Sequence, residues 1–228
     1  MSAFFLRSVI LSTLLGLGVS SSAEEFQCEN GLVTIRNSPG ALHPAICTAS
    51  DRALSLLQSC DLKPPEPVEI QLSELSDKTC IGLFHCGEAL IEVLPPEALD
   101  ARRSAVGAFN GLPTPRLFES VIVHEIAHAA MEDVPCPYDS CVASSEYFAY
   151  SIQLLDLTEA ERNLVVPPLD NGTEPTRVTH DQVNALILYM APDLFITKVW
   201  RHVTAKNDVC TQLKRVQDGT LVFDTFHP

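Results

Sequence analysis

Apolar positions change their spacing near the middle of the chain. Upstream they come in short runs. Leu32-Val33-Thr34-Ile35 reads as a strand closed by Asn37, Pro39 and Gly40, and from Pro44 to Cys60 the spacing becomes helical. Three more strand-like runs follow at residues 68–72, with apolar positions alternating, at 80–84 and at 89–94, with turn residues Asp77 and Gly87 between them. Such short links favour an antiparallel or mixed sheet. Residues 95–115 are rich in Pro, Gly and Ala without a period and read as a long loop, with a helical turn around 98–106. Beyond it, helices are expected at about 116–131, 141–157, 181–190 and 192–205, with a short strand near 221–223. Thr179 and Gln182 fit a capping box for the third of these helices. A small sheet followed by a mainly helical half is an α+β pattern, and the chain has no internal repeat.

The N-terminus has a different character. Arg7 leads into an apolar run from Val9 to Val19 and then into small residues ending at Ala23, which is the layout of a secretory signal peptide. The run is shorter than the roughly 20 residues of a spanning helix. Residues 1–23 are therefore read as a cleaved leader and 24–228 as a single domain, secreted or periplasmic and without a membrane partner after cleavage. The formal charge of −14 becomes −15 once Arg7 leaves with the leader, a balance that repels phosphate backbones. No nucleic acid partner is expected.

All eight cysteines lie beyond the leader, and an even count in an exported chain points to disulfides. There is no Cys-x-x-Cys pair, which removes the zinc-ribbon and thioredoxin readings. Cys136 and Cys141 share a proline-containing turn and are expected to pair. Cys47 and Cys60 are roughly 20 Å apart along a helix, and Cys80 and Cys86 roughly 20 Å apart along a strand. Neither pair closes on itself, so two helix-to-strand staples are expected, with Cys28 joined to Cys210. Asn171-Gly172-Thr173 is an acceptor for N-glycosylation only in a eukaryotic secretory pathway and is read as a turn.

Residues Val121 to Ala130 contain no helix breaker, and His124 and His128 are spaced so that both imidazoles share one helix face. That spacing lets them meet one metal ion. Glu125 is offset by about 100° of rotation, close enough to hydrogen-bond a water at that metal without ligating it, which is the position of a general base. The pattern fixes only three identities. Without a third ligand the histidines are simply polar residues on a helix. Glu132 lies another 6 Å or so along the same helix and cannot converge on the site, so a surface or supporting role is expected for it. Val134 occupies the place of the third histidine of another zinc-peptidase class. Glu146 fits better. On an antiparallel partner helix it stands at the height of His128, with Pro135 and Pro137 ending the first helix and Asp139 or Ser140 capping the second.

A His124-Glu125-x-x-His128 helix, a linker and Glu146 on the next helix resemble the gluzincin group of zinc metallopeptidases at the level of the clan. The motif runs from His124 to Glu146, and the architecture from about residue 65 to 205. The resemblance implies a zincin-like fold and Zn2+ held by His124, His128 and Glu146. It also implies that Glu125 activates the water and that an upstream edge strand aligns the substrate backbone. Two departures bear on substrate class: Ser145 and Tyr150 stand where the thermolysin-like subgroup has Asn and Asp, and there is no Gly-Ala-Met-Glu-Asn run of the aminopeptidase type. Tyr147, Tyr150, His180, Tyr189 and His202 are all eligible to stabilise the oxyanion. The expected function is a secreted zinc metallopeptidase acting on a peptide or protein substrate. The alternative is a catalytically inactive, disulfide-stapled interaction module with a relic of the helix; a zinc hydrolase of non-peptide bonds would share the site.

Overall fold

Alternation in the upstream runs is that of a sheet buried on one face. The computed structural model of the chain describes residues 25–75, 80–103, 107–168, 178–205 and 208–224. The expected leader and the acceptor sequence at 171–173 lie outside the described residues. Five strands form the sheet: β1 (Phe26–Gln27), β2 (Val33–Arg36), β3 (Val68–Leu72), β4 (Gly82–His85) and β5 (Leu90–Val93). Val33 and Ile35 of β2, Val68 and Ile70 of β3, and Ile91 and Val93 of β5 are buried, while Thr34, Glu69 and Glu92 between them are partly exposed.

The spatial order is β1-β2-β3-β5-β4. Helix α1 (His43–Ser59) carries the chain from β2 to a parallel β3, whereas the tight link after His85 returns β4 to an antiparallel β5. β5 inserts between β3 and β4, so β4 becomes an edge. The helices that follow are α2 (Pro96–Ala101), α3 (Thr114–Ala129), α4 (Val142–Asp156), α5 (Glu159–Val165), α6 (Ala185–Met190), α7 (Pro192–Thr204) and α8 (Val209–Gln217). The class is α+β, a mixed five-stranded sheet with eight α-helices among the described residues. No helix among those residues is long and apolar enough to cross a membrane.

α3 is the central element. Leu117, Phe118, Val121, Ile122 and Ile126 are buried, and the helix packs against α1, α4 and β4. Arg116 at its start meets Asp156 at the end of α4, and His128 near its end meets Ser145 at the start of α4, so the two helices are antiparallel.

Several boundaries differ from expectation for local reasons. The 95–115 stretch holds α2, started by the Pro95-Pro96 pair, and a 3-10 segment at Gly107–Gly111. The helix expected at 181–190 is split. The Thr179–Gln182 box closes a single 3-10 turn, and Asn184 then caps α6 by accepting from the Ile187 N–H. β1, α5 and α8 were not expected. α5 has its own box, Thr158 with Glu161, and Asp208 caps α8. Residues 221–223 do not form the expected strand: the Phe223 N–H donates to Ser144 Oγ at 2.8 Å. Asp224 accepts from the N–H groups of Ala143 and Ser144, taking the capping role expected of Asp139 or Ser140.

The disulfides correct three expected pairings, the two staples and Cys28 with Cys210. Cys136 and Cys141 are joined as expected, but Cys28 pairs with Cys47 and Cys60 with Cys210, while Cys80 and Cys86 are thiols. The staples fail because α1 packs under β2, and β4 is three strands away at the far edge, roughly 14 Å across the sheet. Cys28 instead ties the β1 edge to α1, and Cys60, at the end of α1, meets the incoming α8. Three disulfides are compatible with an oxidising compartment outside the cytosol.

Candidate metal centre

The antiparallel pairing of α3 and α4 brings three side chains to one point. His124 Nε2 and His128 Nε2 are 3.0 Å apart, and each lies 3.5 Å from an oxygen of Glu146. One ligand atom from each residue falls within 4.8 Å of the others.

The surroundings fix which imidazole nitrogens face inward. Ser120 Oγ donates to the Leu117 carbonyl, so it accepts from the Gln153 amide nitrogen at 3.2 Å. Gln153 Oε1 is then turned to His124 Nδ1 at 3.0 Å and can only accept. Nδ1 of His124 therefore carries the proton, and the Nε2 lone pair points into the cluster. Ser145 Oγ, 2.8 Å from His128 Nδ1, is placed to fix the same tautomer there.

Two lone pairs and a carboxylate at this spacing repel one another unless a proton or a cation stands among them. Glu146 Oε2 is buried without a hydrogen-bond partner. Burial opposes ionisation of Glu146, but His128 and His124 outweigh it and hold the carboxyl well below the usual carboxylate range. Burial also works against protonation of His128, and Glu146 overcomes it and raises the imidazole. A tetrahedral ion bound at about 2.0–2.2 Å sets its ligand atoms roughly 3.3–3.5 Å apart. The two 3.5 Å separations match that spacing and the 3.0 Å between the imidazoles is shorter than it, so two imidazoles and a carboxylate here could hold a metal ion after the rings part slightly.

Glu125 stands beside this group without joining it. Burial pushes its carboxyl up, and the Phe84 backbone N–H of β4 hydrogen-bonds to it. β4 comes this close because residue 82 is glycine. A Cβ there would lie 2.5 Å from Glu125 Oε1 and 2.7 Å from Val121 Cγ1. The group opens into a cleft of about 960 Å³ lined by β4, α3, the start of α4 and the start of α7.

Of the five residues eligible for oxyanion stabilisation, three are engaged elsewhere. The Tyr147 hydroxyl is 2.9 Å from His202 Nδ1 in the core, and His180 Nε2 is 2.7 Å from the Val222 carbonyl. Tyr150 and Tyr189 line the cleft, and the Tyr150 ring packs on His124 with centroids 4.6 Å apart. Burial first, then Glu146 and Glu125, raises the Tyr150 hydroxyl well above its ordinary value, so it stays a donor. Glu132 is exposed at the far end of the cleft, accepting from the Gly87 N–H, in keeping with its expected surface role.

Sequence reasoning missed Gln153, Ser120 and Gly82, and used Ser145 only as a departure. Gln153 lies two helical turns after Glu146 and Ser120 one turn before His124, so both spacings were available signals. A glycine inside a strand run was the only mark of the close approach at 82.

An α+β scaffold with a His-His-Glu group on an antiparallel helix pair is thus what fold and site define. The family model matching residues 33–226 is described as a family of unknown function (DUF6639), and the chain belongs to that family. No curated protein and no solved structure matches the chain.

Proposed function

We propose that this protein is a secreted zinc-dependent peptidase of gluzincin type. The observation that carries the reading is the convergence of three acceptor atoms at 3.0–3.5 Å, with an unligated carboxylate, Glu125, on the same cleft. Neutral imidazoles plus one carboxylate are the donor set of catalytic zinc, with a position left for water or substrate. When bound, zinc polarises the scissile carbonyl and makes water a stronger acid. His124, His128 and Glu146 would hold the ion, oriented by Gln153 and Ser145.

The remaining work falls to this chain's own groups. Glu125 takes a proton from the attacking water and passes it to the leaving amine, a task suited to a carboxyl raised by burial. Tyr150 donates a hydrogen bond to the developing oxyanion. The Ile81 carbonyl accepts from Leu94, so 81, 83 and 85 face β5, while Gly82 turns its N–H and carbonyl, and Phe84 its carbonyl, to the cleft, the Phe84 N–H being held by Glu125. An extended peptide can pair with that edge, which is why a peptide substrate is favoured over a compact one.

The test is to incubate zinc-loaded wild type, Glu125→Gln and Tyr150→Phe with a mixed peptide library and follow cleavage by mass spectrometry. Cleavage is expected in the wild type, lowered about 10²–10⁴-fold by Glu125→Gln and about 10²–10³-fold by Tyr150→Phe. Zinc bound at the site with no cleavage of any peptide would refute the enzyme and leave the interaction module.

A further inference from the structure

The charges around the cleft are one-sided. Four carboxylates line it, Glu125, Glu132, Glu146 and Asp193, and among the described residues no Lys or Arg does. Among the described residues, four arginines around the site are committed to other partners. Arg52 and Arg116 bind Asp156 and Glu119, Arg103 binds Asp100, and Arg102 donates to the carbonyls of Glu74, Leu75 and Cys80. Glu125 and Glu146 are accounted for by the metal centre. Glu132 and Asp193 are not: each accepts a single backbone N–H, from Gly87 and Ala108, and neither has an ion-pair partner among the described residues.

These two acids mark opposite ends of one track. Gly82 lies against Val121 and Glu125, and Gly87 against Glu132, so β4 and α3 run the same way along the cleft. Asp193, at the start of α7, sits with Gly107 and Ala108, and the next residue, Phe109, stacks on Tyr150, one turn along α4 from Glu146 and on the side away from Glu132. Glu132 lies four residues beyond His128, in the turn that follows α3, and about 10 Å along the chain axis from the middle of the histidine pair. An extended chain rises about 3.3 Å per residue, so Glu132 faces a side chain two or three residues from the metal. For a peptide antiparallel to β4 that residue precedes the scissile bond, and residues after the bond run toward Asp193.

Resting on the peptidase reading of this cleft, we propose that its substrates are basic peptide segments, with Lys or Arg two or three residues before the cleaved bond opposite Glu132 and a second cationic group after it opposite Asp193. Acidic segments are rejected by the same two carboxylates. The chain's formal charge of −14 adds a long-range attraction for such substrates.

Binding is measured on the full mature chain carrying Glu125→Gln and loaded with zinc. The probes are fluorescein-labelled Ala/Gly/Leu decapeptides that differ only in holding Lys, Ala or Glu at the two positions, and the readout is anisotropy. The lysine peptide is expected to bind about three- to tenfold tighter than the glutamate peptide near 0.01 M salt, with the gap closing near 1 M as the Debye length falls from roughly 30 to 3 Å. The exposed Glu132→Lys change should abolish or invert the preference at the first position while leaving zinc content unchanged. Equal or tighter binding of the glutamate peptide, no effect of Glu132→Lys, or no binding of any peptide overturns the inference. Lysine-selective binding alongside a wild type that cleaves none of these peptides would instead sink the peptidase reading and leave the charge preference standing.

Discussion

The two ends of the α3/α4 pair hold buried polar groups in opposite ways. At one end Asp156, its side chain 2% exposed, is met by Arg52 at 2.8 Å and Arg116 at 2.7 Å, and Arg116 also reaches Glu161 at 3.1 Å. Opposite charges there cancel within the chain and lock α1, α3, α4 and α5 together. At the other end His124, His128 and Glu146 converge with lone pairs inward and leave Glu146 Oε2 without a hydrogen bond. Even Arg116 Nη1, buried at the Asp156 end without a hydrogen bond, has a carboxylate oxygen of Glu119 at 3.6 Å. The Glu146 end could be completed by a metal ion, and a buried acceptor left uncompensated there is a cost.

That contrast can be broken at either end. Asp156→Ala should destabilise the protein by about 3–5 kcal/mol in urea titrations, because two partly buried guanidinium groups lose their partner, yet zinc stoichiometry should be unchanged in the folded fraction. At a thousandfold excess over its dissociation constant zinc should stabilise wild type and Asp156→Ala alike, by about 4 kcal/mol over their metal-free forms, and should do nothing for Glu146→Ala. A zinc increment in Glu146→Ala equal to that of wild type would remove the third ligand from the account.

Smaller changes sharpen the picture. Gln153→Ala or Ser145→Ala should each weaken zinc binding by about 10–100-fold in competition with a chromophoric chelator, since they fix the imidazole orientation rather than bind the ion. Gly82→Ala should keep zinc but slow hydrolysis about tenfold or more, because the new methyl displaces Glu125; unchanged hydrolysis would show that the base tolerates the shift.

The parts of this arrangement that depend on spacing along one element were legible in the sequence. His124 and His128 declare a shared face by their separation, and Glu146 by its distance from a turn marked with prolines. The α+β class and the mixed sheet follow from runs that alternate and runs that do not. What required the structure was contact between elements far apart in the chain. Asp224 capping α4, Cys60 meeting Cys210 across 150 residues, and β4 resting on Glu125 through Gly82 are set by how layers stack. The misplaced disulfides show the limit plainly: element lengths correctly forbade two pairings, but only strand order, with β4 far from α1, could reject the staples.

If the three converging side chains bind zinc, the metal content of the purified protein must show it. Purified mature wild type, His128→Ala and Glu146→Ala are dialysed against metal-free buffer and their bound elements are measured. About one zinc per chain is expected in the wild type and none in either variant. A wild type that takes up no zinc when zinc is supplied, or variants that keep it, would contradict the account.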